Sequence, residues 1–446
     1  MFTKVKLQNF RSFGELEFDL SIKNGAPKNL AMVFGENGAG KSNLMSAFVL
    51  LCELWSTMKV RDMYEELLNH KAFFADEDIE SMIRKQIKSD MRDMEAIVND
   101  YRMVGNSNPI FAEYEFAIDG SVGKYCVKLQ DDEIIYEKLE FLLNKRKGVY
   151  FECSREGLFI NSGIVKSKEF YNDIKESAKR FWGKHSLFAI IYHELIDKSK
   201  AYGVDNISEN FNSVLRMVGT LSCYLKTGAK KLEKLVSNLT VLANADKGAL
   251  PVSREIELDL AENIFSKFFS SINSDIRKVY YTRNYNDKFI NYELMFEKIV
   301  AGEYRHIEFS RESTGNHQVL KVICYLLEAA LGGTVIIDEA DSGVHDYLFQ
   351  KLFEEIRPYI KGQVVMTTHN TLLMEADFAR DSTYILCESE EGYKEIKSIS
   401  DYDRRTYFKN NIRKKYLDGE YGGLPNVIKT DFSSIIQDIE NYINVI

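Results

Sequence analysis

Eight consecutive residues, Gly35-Glu36-Asn37-Gly38-Ala39-Gly40-Lys41-Ser42, hold the densest chemical content of the chain. They fit the pattern GxxxxGK[ST]. They stand between an apolar run, residues 29–34 (NLAMVF), and a stretch whose Leu44, Phe48, Leu51 and Trp55 recur at helical spacing. Strand, loop and helix in that order are the context in which the pattern is a phosphate-binding loop. The glycines let the backbone close around phosphate oxygens, and their N–H groups join the helix N-terminus in an anion cradle. In such a loop Lys41 neutralises β/γ-phosphate charge and the Ser42 hydroxyl ligates Mg²⁺. An acidic pair, Asp338-Glu339, ends the apolar run Val335-Ile336-Ile337. Asp338 is expected in the Mg²⁺ shell, and Glu339 is expected to polarise an attacking water as general base. His369 closes a third run, Val364-Val365-Met366-Thr367-Thr368, where an imidazole can contact a γ-phosphate and register its presence. Together these residues predict binding and hydrolysis of ATP with Mg²⁺.

Three strand tips must meet for this chemistry, and the surrounding segments predict how. A helix over 314–331, the strand TVIID, a helix over 345–360 and the strand QVVMTTH form a strand–helix alternation that implies a parallel sheet with crossover helices. Residues 3–20 alternate through Val5, Leu7 and Phe10, turn at Ser12-Phe13-Gly14, and alternate again through Leu16, Phe18 and Leu20, which predicts antiparallel strands. The middle reads differently. Residues 60–108 are charged and irregularly helical, and residues 111–160 alternate like an antiparallel sheet. Residues 165–275 place Phe211, Val214, Leu215 and Val218, then Leu232, Leu235, Val236 and Leu239, at helical spacing. Residues 276–300 return to strands. The expected fold class is α/β: a head made of a P-loop parallel sheet plus N-terminal antiparallel strands, carrying an inserted antiparallel sheet and helical arm. The expected divisions are 1–60 (first lobe of the head), 61–275 (insertion), 276–400 (second lobe) and 401–446 (helical tail).

Composition narrows the function. The chain has 446 residues, 45% hydrophobic and 28% charged, with a formal net charge of −9. That is a globular balance, and it excludes a uniformly basic nucleic-acid-binding surface. None of the six cysteines pairs with another at CxxC spacing, so no zinc or redox motif is expected, and scattered thiols fit a reducing cytoplasm. The opening MFTKVKLQNFRSF has no apolar core of a signal peptide, and no run approaches the ~20 apolar residues of a membrane helix. A cytoplasmic protein without membrane association is expected. A basic cluster, Arg404, Arg405, Lys409, Arg413, Lys414 and Lys415, is either a grip for nucleic acid or a solvated helix face.

The order Lys41, Asp338-Glu339, His369 resembles the Walker A, Walker B and H-loop of the ABC ATPase superfamily. Glu312-Ser313-Thr314-Gly315-Asn316, just before a helix, resembles a degenerate LSGGQ signature, with Ser313 and Gly315 matching and Glu312, Thr314 and Asn316 departing. Asp341 falls where the D-loop lies, and no glutamine is placed as a Q-loop. Phe10-Arg11-Ser12-Phe13 resembles the first strand of the SMC/RecF branch, whose arginine approaches the nucleotide. NFRSF, the ESTG turn and the C-terminal IRKKY with Gly419, Tyr421-Gly422-Gly423 and Pro425 are similar to bacterial abortive-infection and OLD-like ATPases. The resemblance implies that Ser313, Thr314 and Gly315 act in trans in a head-to-tail homodimer or higher oligomer. It also implies a role in anti-phage defence. Only about 75 residues follow His369, fewer than the ~100 of a typical domain, so a separate effector, a nuclease, is expected as partner, with a phage protein or nucleic acid as trigger. The rival readings are a RecF/SMC-like DNA-repair ATPase and a transporter ATPase subunit.

Overall fold

A computed structural model describes residues 1–69, 92–197, 206–227, 230–389, 391–402, 411–424 and 431–443. Strands β1 (Phe2–Phe10) and β2 (Phe13–Asp19) are followed by β3 (Leu30–Phe34) and the long helix α1 (Lys41–Asn69). Helix α2 (Met94–Tyr101) leads to β4 (Ile110–Ile118), β5 (Ser121–Gln130), β6 (Glu133–Leu143), β7 (Arg146–Ser154) and β8 (Gly157–Ile160). Helices α3 (Lys168–Phe181), α4 (Leu187–Asp197) and α5 (Glu209–Gly219) come next, then β9 (Ser222–Thr227), β10 (Lys230–Lys234), β11 (Lys247–Pro251) and α6 (Ile256–Ile272). The second half runs β12 (Ile276–Tyr285), β13 (Phe289–Val300), β14 (Glu303–Glu308), α7 (Thr314–Leu331), β15 (Thr334–Ile337), α8 (Asp346–Ile356), β16 (Gln363–Thr367), β17 (Thr383–Glu388), β18 (Lys394–Ser398), α9 (Ile412–Leu417) and α10 (Phe432–Ile443).

The central sheet has the order β10-β9-β15-β16-β3-β17-β18. Its five inner strands are parallel, and the outer pairs β10–β9 and β17–β18 are antiparallel. Strands β3, β15 and β16 are buried at every residue, the continuous apolar pattern of strands covered on both faces. Alternation assigns the faces. Ala31 and Val33 of β3 join one core with α1 and α4, whereas Leu30, Met32 and Phe34 join the other with α6 and α7. Here the sequence reading needs correction. Residues 222–234, read as part of a helical arm, form β9 and β10, and β9 pairs in parallel with β15. A short apolar run is ambiguous by periodicity alone, and pairing with the fully buried β15 settles this one as strand.

The second sheet is antiparallel, ordered β2-β1-β4-β5-β6-β7-β8. The N-terminal hairpin and the inserted 111–160 segment are therefore a single sheet, joined where Val5 pairs Tyr114 and Leu7 pairs Ala112. It lies across α1: Tyr114 donates its hydroxyl to the Ala47 carbonyl at 2.5 Å, and the Phe2 and Phe48 rings meet edge to face at 5.2 Å. A third sheet sets β12 along β13, with β11 and β14 pairing the other side of β13. Helix α1 also runs past the expected boundary at residue 60, to Asn69. No described helix is long and apolar enough to cross a membrane.

Candidate functional site

Parallel pairing of β9, β15, β16, β3 and β17 brings their C-terminal ends to one edge, where open α/β sheets bind ligands. The phosphate-binding loop leaves β3 there. Gly35, Gly38 and Gly40 adopt positive φ of 155°, 88° and 107°, conformations glycine reaches without a Cβ penalty. Gly35 needs it twice over, because a Cβ would stand 2.3 Å from the Leu386 carbonyl oxygen. Lys41 turns back into the loop, and its Nζ donates to the carbonyls of Gly35 (2.8 Å) and Glu36 (3.0 Å). Burial lowers its pKa, and the nearby Asp338, Glu339, Asp341 and Glu36 oppose that shift.

Asp338 and Glu339 leave β15 beside this loop. Asp338 is fully buried; its Oδ1 accepts from Thr367 Oγ1 at 2.7 Å, and its Oδ2 has no partner among the described residues. Burial raises its pKa. The Thr367 and Ser42 hydroxyls and Lys41 pull it down, and Glu339 adds to the rise. A buried carboxylate oxygen without a donor, next to a serine hydroxyl, fits a hard divalent cation held jointly with nucleotide phosphates. Glu339 has φ of +49°, a left-handed conformation that costs a non-glycine residue roughly 1–3 kcal/mol. The strain is held in place from β16: Glu339 N donates to Thr367 Oγ1 at 2.7 Å and Ala340 N to the Thr367 carbonyl at 3.0 Å. Thr367 thus grips both acids at once. Sequence reasoning assigned it no role; its position two residues before His369 is the only signal it gave.

His369 lies beyond the tip of β16, with its backbone N–H donating to Asp341 at 3.1 Å. Burial and the Lys41 charge lower its pKa, so the ring is neutral near pH 7. Asp341 therefore joins the expected D-loop to the expected H-loop. In the ESTG turn, Ser313 caps α7 by accepting from Asn316 N at 3.2 Å, and Gly315 packs on the Gly343 carbonyl, 3.1 Å from where a Cβ would stand. Glu312, one of the departures from the signature pattern, accepts from Lys298 at 3.0 Å and from Asn316 Nδ2 at 2.8 Å. Among the described residues no hydrogen bond or ion pair joins Ser313, Thr314 or Gly315 to the loop Gly35–Ser42 of the same chain.

Arg11 stands at the β1–β2 turn, also at positive φ (49°). It is held by Asp100 (2.9 Å) and Asn43 Oδ1 (3.3 Å), and its guanidinium lies 4.9 Å from the centre of the Tyr101 ring. Next to it, Ser12 and Phe13 press on the loop, 3.0 and 3.2 Å from where a Cβ on Gly40 would stand. Of the basic cluster, Arg413, Lys414 and Lys415 are described. Arg413 is bound to Thr371 Oγ1 (3.1 Å) and Glu375 (2.8 Å), and Lys415 is 3.6 Å from Glu420. Arg404, Arg405 and Lys409 lie outside the described residues. The segment carrying Arg413 braces the loop from below. The Tyr416 and Phe34 rings are 6.1 Å apart, Tyr416 donates to the Gly423 carbonyl at 3.1 Å, and a Cβ on Gly423 would stand 3.5 Å from Gly35 Cα.

Fold and site together define an α/β protein of the AAA type, with a glycine-rich loop at the C-terminal edge of a parallel sheet. The chain belongs to the family described as "AAA domain, putative AbiEii toxin, Type IV TA system", whose model matches residues 109–375. The sequence has no match among curated proteins. Among solved structures it is similar to the SMC head domain from Thermotoga maritima: 14% identity, 89% of this chain and 98% of that one covered, TM-score 0.39. It is also similar to an SMC head bound to the C-winged helix domain of ScpA, at 14% identity, coverage of 89% and 97%, and TM-score 0.42. A third is the Smc head with an extended coiled coil bound to the C-terminal domain of ScpA from Pyrococcus furiosus, at 12% identity, coverage of 90% and 98%, and TM-score 0.38. Overlap at this level leaves activity and partners to be argued from this chain's own residues.

Proposed function

We propose that the chain binds ATP with Mg²⁺ at Gly35–Ser42 and hydrolyses it in a site completed by Ser313, Thr314 and Gly315 of a second copy. The observation that carries this reading is the convergence of Lys41, Asp338, Glu339 and His369 on one sheet edge, with Glu339 held in a strained conformation by Thr367. Lys41 exchanges its bonds to Gly35 and Glu36 for phosphate oxygens. Asp338 and the Ser42 hydroxyl would hold Mg²⁺, which would supply charge neutralisation at the phosphates. Glu339 takes the proton of the attacking water. His369, neutral and anchored beside Asp341, donates to the γ-phosphate. Arg11, placed by Asp100 and Asn43, supplies a second cation near the phosphates.

The output of this switch is control of a separate effector, a nuclease, in a bacterial anti-phage system, with a phage protein or nucleic acid as trigger. What supports a defence setting is the family's description as a "putative AbiEii toxin, Type IV TA system". The alternative is a RecF/SMC-like DNA-repair ATPase, which would draw on the basic residues Arg413, Lys414 and Lys415; of these Arg413 is paired with Thr371 and Glu375. The test is Glu339→Gln, which keeps shape and removes the base. ATP binding should persist, phosphate release should stop, and sedimentation in ATP·Mg²⁺ should show a trapped dimer. Undiminished turnover would sink the assignment of Glu339.

A further inference from the structure

Helix α10 carries Phe432, Ile435, Ile436, Ile439, Tyr442 and Ile443, and all six are exposed. They recur every three or four residues and so form one apolar stripe along the helix. A stripe of this size is unusual on a surface that has no partner. The charged residues of segment 431–443 are Asp431, Asp438 and Glu440, with no lysine or arginine among them. Pairing α10 with α10 of another copy would bring like charges together.

The chain holds a surface of opposite character. Helices α1, α4 and α5 enclose a groove of about 350 Å³, with Trp55, Tyr192, Leu195, Ile196 and Leu215 in its walls and Arg216 as its one charged residue among the described residues. The Trp55 and Tyr192 rings meet at a tilt with centroids 4.9 Å apart, and Gly219 keeps the wall beside Trp55 open, since a Cβ there would stand 3.3 Å from the Trp55 ring. Tyr192 and Ile196 are exposed, and Arg216 has no acidic partner among the described residues. Apolar concave walls with one unpaired cation complement an apolar helix whose only charges are acids.

We infer that α10 of one copy docks in the Trp55–Tyr192–Leu215 groove of a second copy, with Glu440 paired to Arg216. Glu440 follows Ile436 by one helical turn and borders the stripe, where it can reach the groove rim. The contact joins two different patches, so it closes a two-fold dimer when made reciprocally and otherwise closes a larger ring or extends a filament. It is independent of the ATP-driven contact proposed above. Leu424, the last described residue before residue 431, is seven residues from Asp431. The chain between can span at most about 25 Å, so a docked α10 stays close to Gly423 and the phosphate-binding loop it packs on.

The experiment uses the full chain without nucleotide, in sedimentation velocity. Wild type should self-associate, and Ile436→Asp and Arg216→Glu should each weaken that association at least tenfold. The reversed pair, Glu440→Lys with Arg216→Glu, should restore most of it, a recovery that a folding defect cannot give. Ile439→Cys and Thr220→Cys variants, each with the partly exposed Cys387 replaced by serine, mixed and oxidised, should cross-link only as heterodimers. A monomeric wild type would overturn the inference. So would cross-linking within one chain carrying both cysteines, which would mean that the helix folds back on its own groove. Failure of these tests leaves ATP binding at Lys41 untouched, so the two readings fail separately.

Discussion

Replacing Thr367 by valine keeps the shape of a buried side chain at the end of β16 and removes its hydroxyl. Two bonds go with it: the donation to Asp338 Oδ1 at 2.7 Å and the acceptance from Glu339 N at 2.7 Å. A hydrogen bond to a charged group contributes about 1.5–3 kcal/mol, and an N–H left without a partner costs about 1–3 kcal/mol. The nucleotide-free protein should therefore lose on the order of 3–5 kcal/mol. The carboxyl of Asp338, already raised by burial, loses the hydroxyl that most strongly lowers its pKa, so the variant should need more Mg²⁺. The left-handed backbone at Glu339 loses one of its two tethers to β16. Displacing a catalytic group by about 1 Å costs on the order of 100-fold in rate, and turnover should fall by that order. ATP affinity in the absence of Mg²⁺ should change little, because Lys41 and the loop are untouched. Phosphate release at saturating ATP·Mg²⁺, nucleotide titration and thermal melting separate these effects, and Thr367→Ser should recover most of the turnover. Turnover in Thr367→Val within twofold of wild type would refute the argument that this hydroxyl positions the acids.

Lys41→Ala should abolish stabilisation by ATP while leaving the melting temperature of the nucleotide-free protein nearly unchanged, since its hydrogen bonds are to loop carbonyls; differential scanning fluorimetry with and without ATP decides. Glu137, fully buried, accepts from Tyr125 (3.0 Å), Trp182 Nε1 (2.9 Å) and Leu187 N (2.9 Å). Burial pushes its pKa from 4.5 up to about 7 against those donors. The folded value lies above the unfolded one, so the stability linked to this group is complete below about pH 4.5 and is lost as pH rises through about 7. The loss is on the order of 3 kcal/mol. Glu137→Gln, whose amide oxygen can accept from Trp182 and Leu187 while its nitrogen meets Tyr125, should melt less pH-dependently between about pH 4.5 and 7; equal pH dependence in the two proteins would remove Glu137 as the cause.

The site was legible where chemistry and local structure coincide. A P-loop needs its glycines, Lys41 and Ser42 within eight residues of one strand and one helix, so the motif is complete in a short window. Asp338-Glu339 and His369 were legible because each ends an apolar strand. The supports of these residues were not legible, because they are side-chain contacts between distant segments. Thr367 reaches from β16 to two residues at the end of β15, and Asp100 reaches Arg11 from α2. The fold was legible in class and misread in places. Strand β9 is short, and only its pairing with β15 distinguishes it from a helix segment. The union of β1 with β4 depends on a register between residues more than 100 positions apart, such as Val5 and Tyr114, which alternation within either strand cannot reveal. Arg413 looked like part of a free basic face until its partners Thr371 and Glu375 were placed 42 and 38 positions away in the chain.

The central sheet also imposes a schedule on synthesis. Strand β3 is made first among its strands, and its neighbours are β16 and β17, which emerge about 330 to 350 residues later. At 5–20 residues per second a ribosome takes roughly 20–70 s to cover that interval. Through that time the phosphate-binding loop lacks the strands on both sides of it and, for most of it, the acids of β15. A nascent chain can shelter the strand only through the N-terminal antiparallel sheet and α1, whose strands are complete by residue 160. On the proposed function, the site can be assembled only after β16 and β17 have been made, and a polypeptide truncated before them would carry the Lys41 loop without its neighbouring strands.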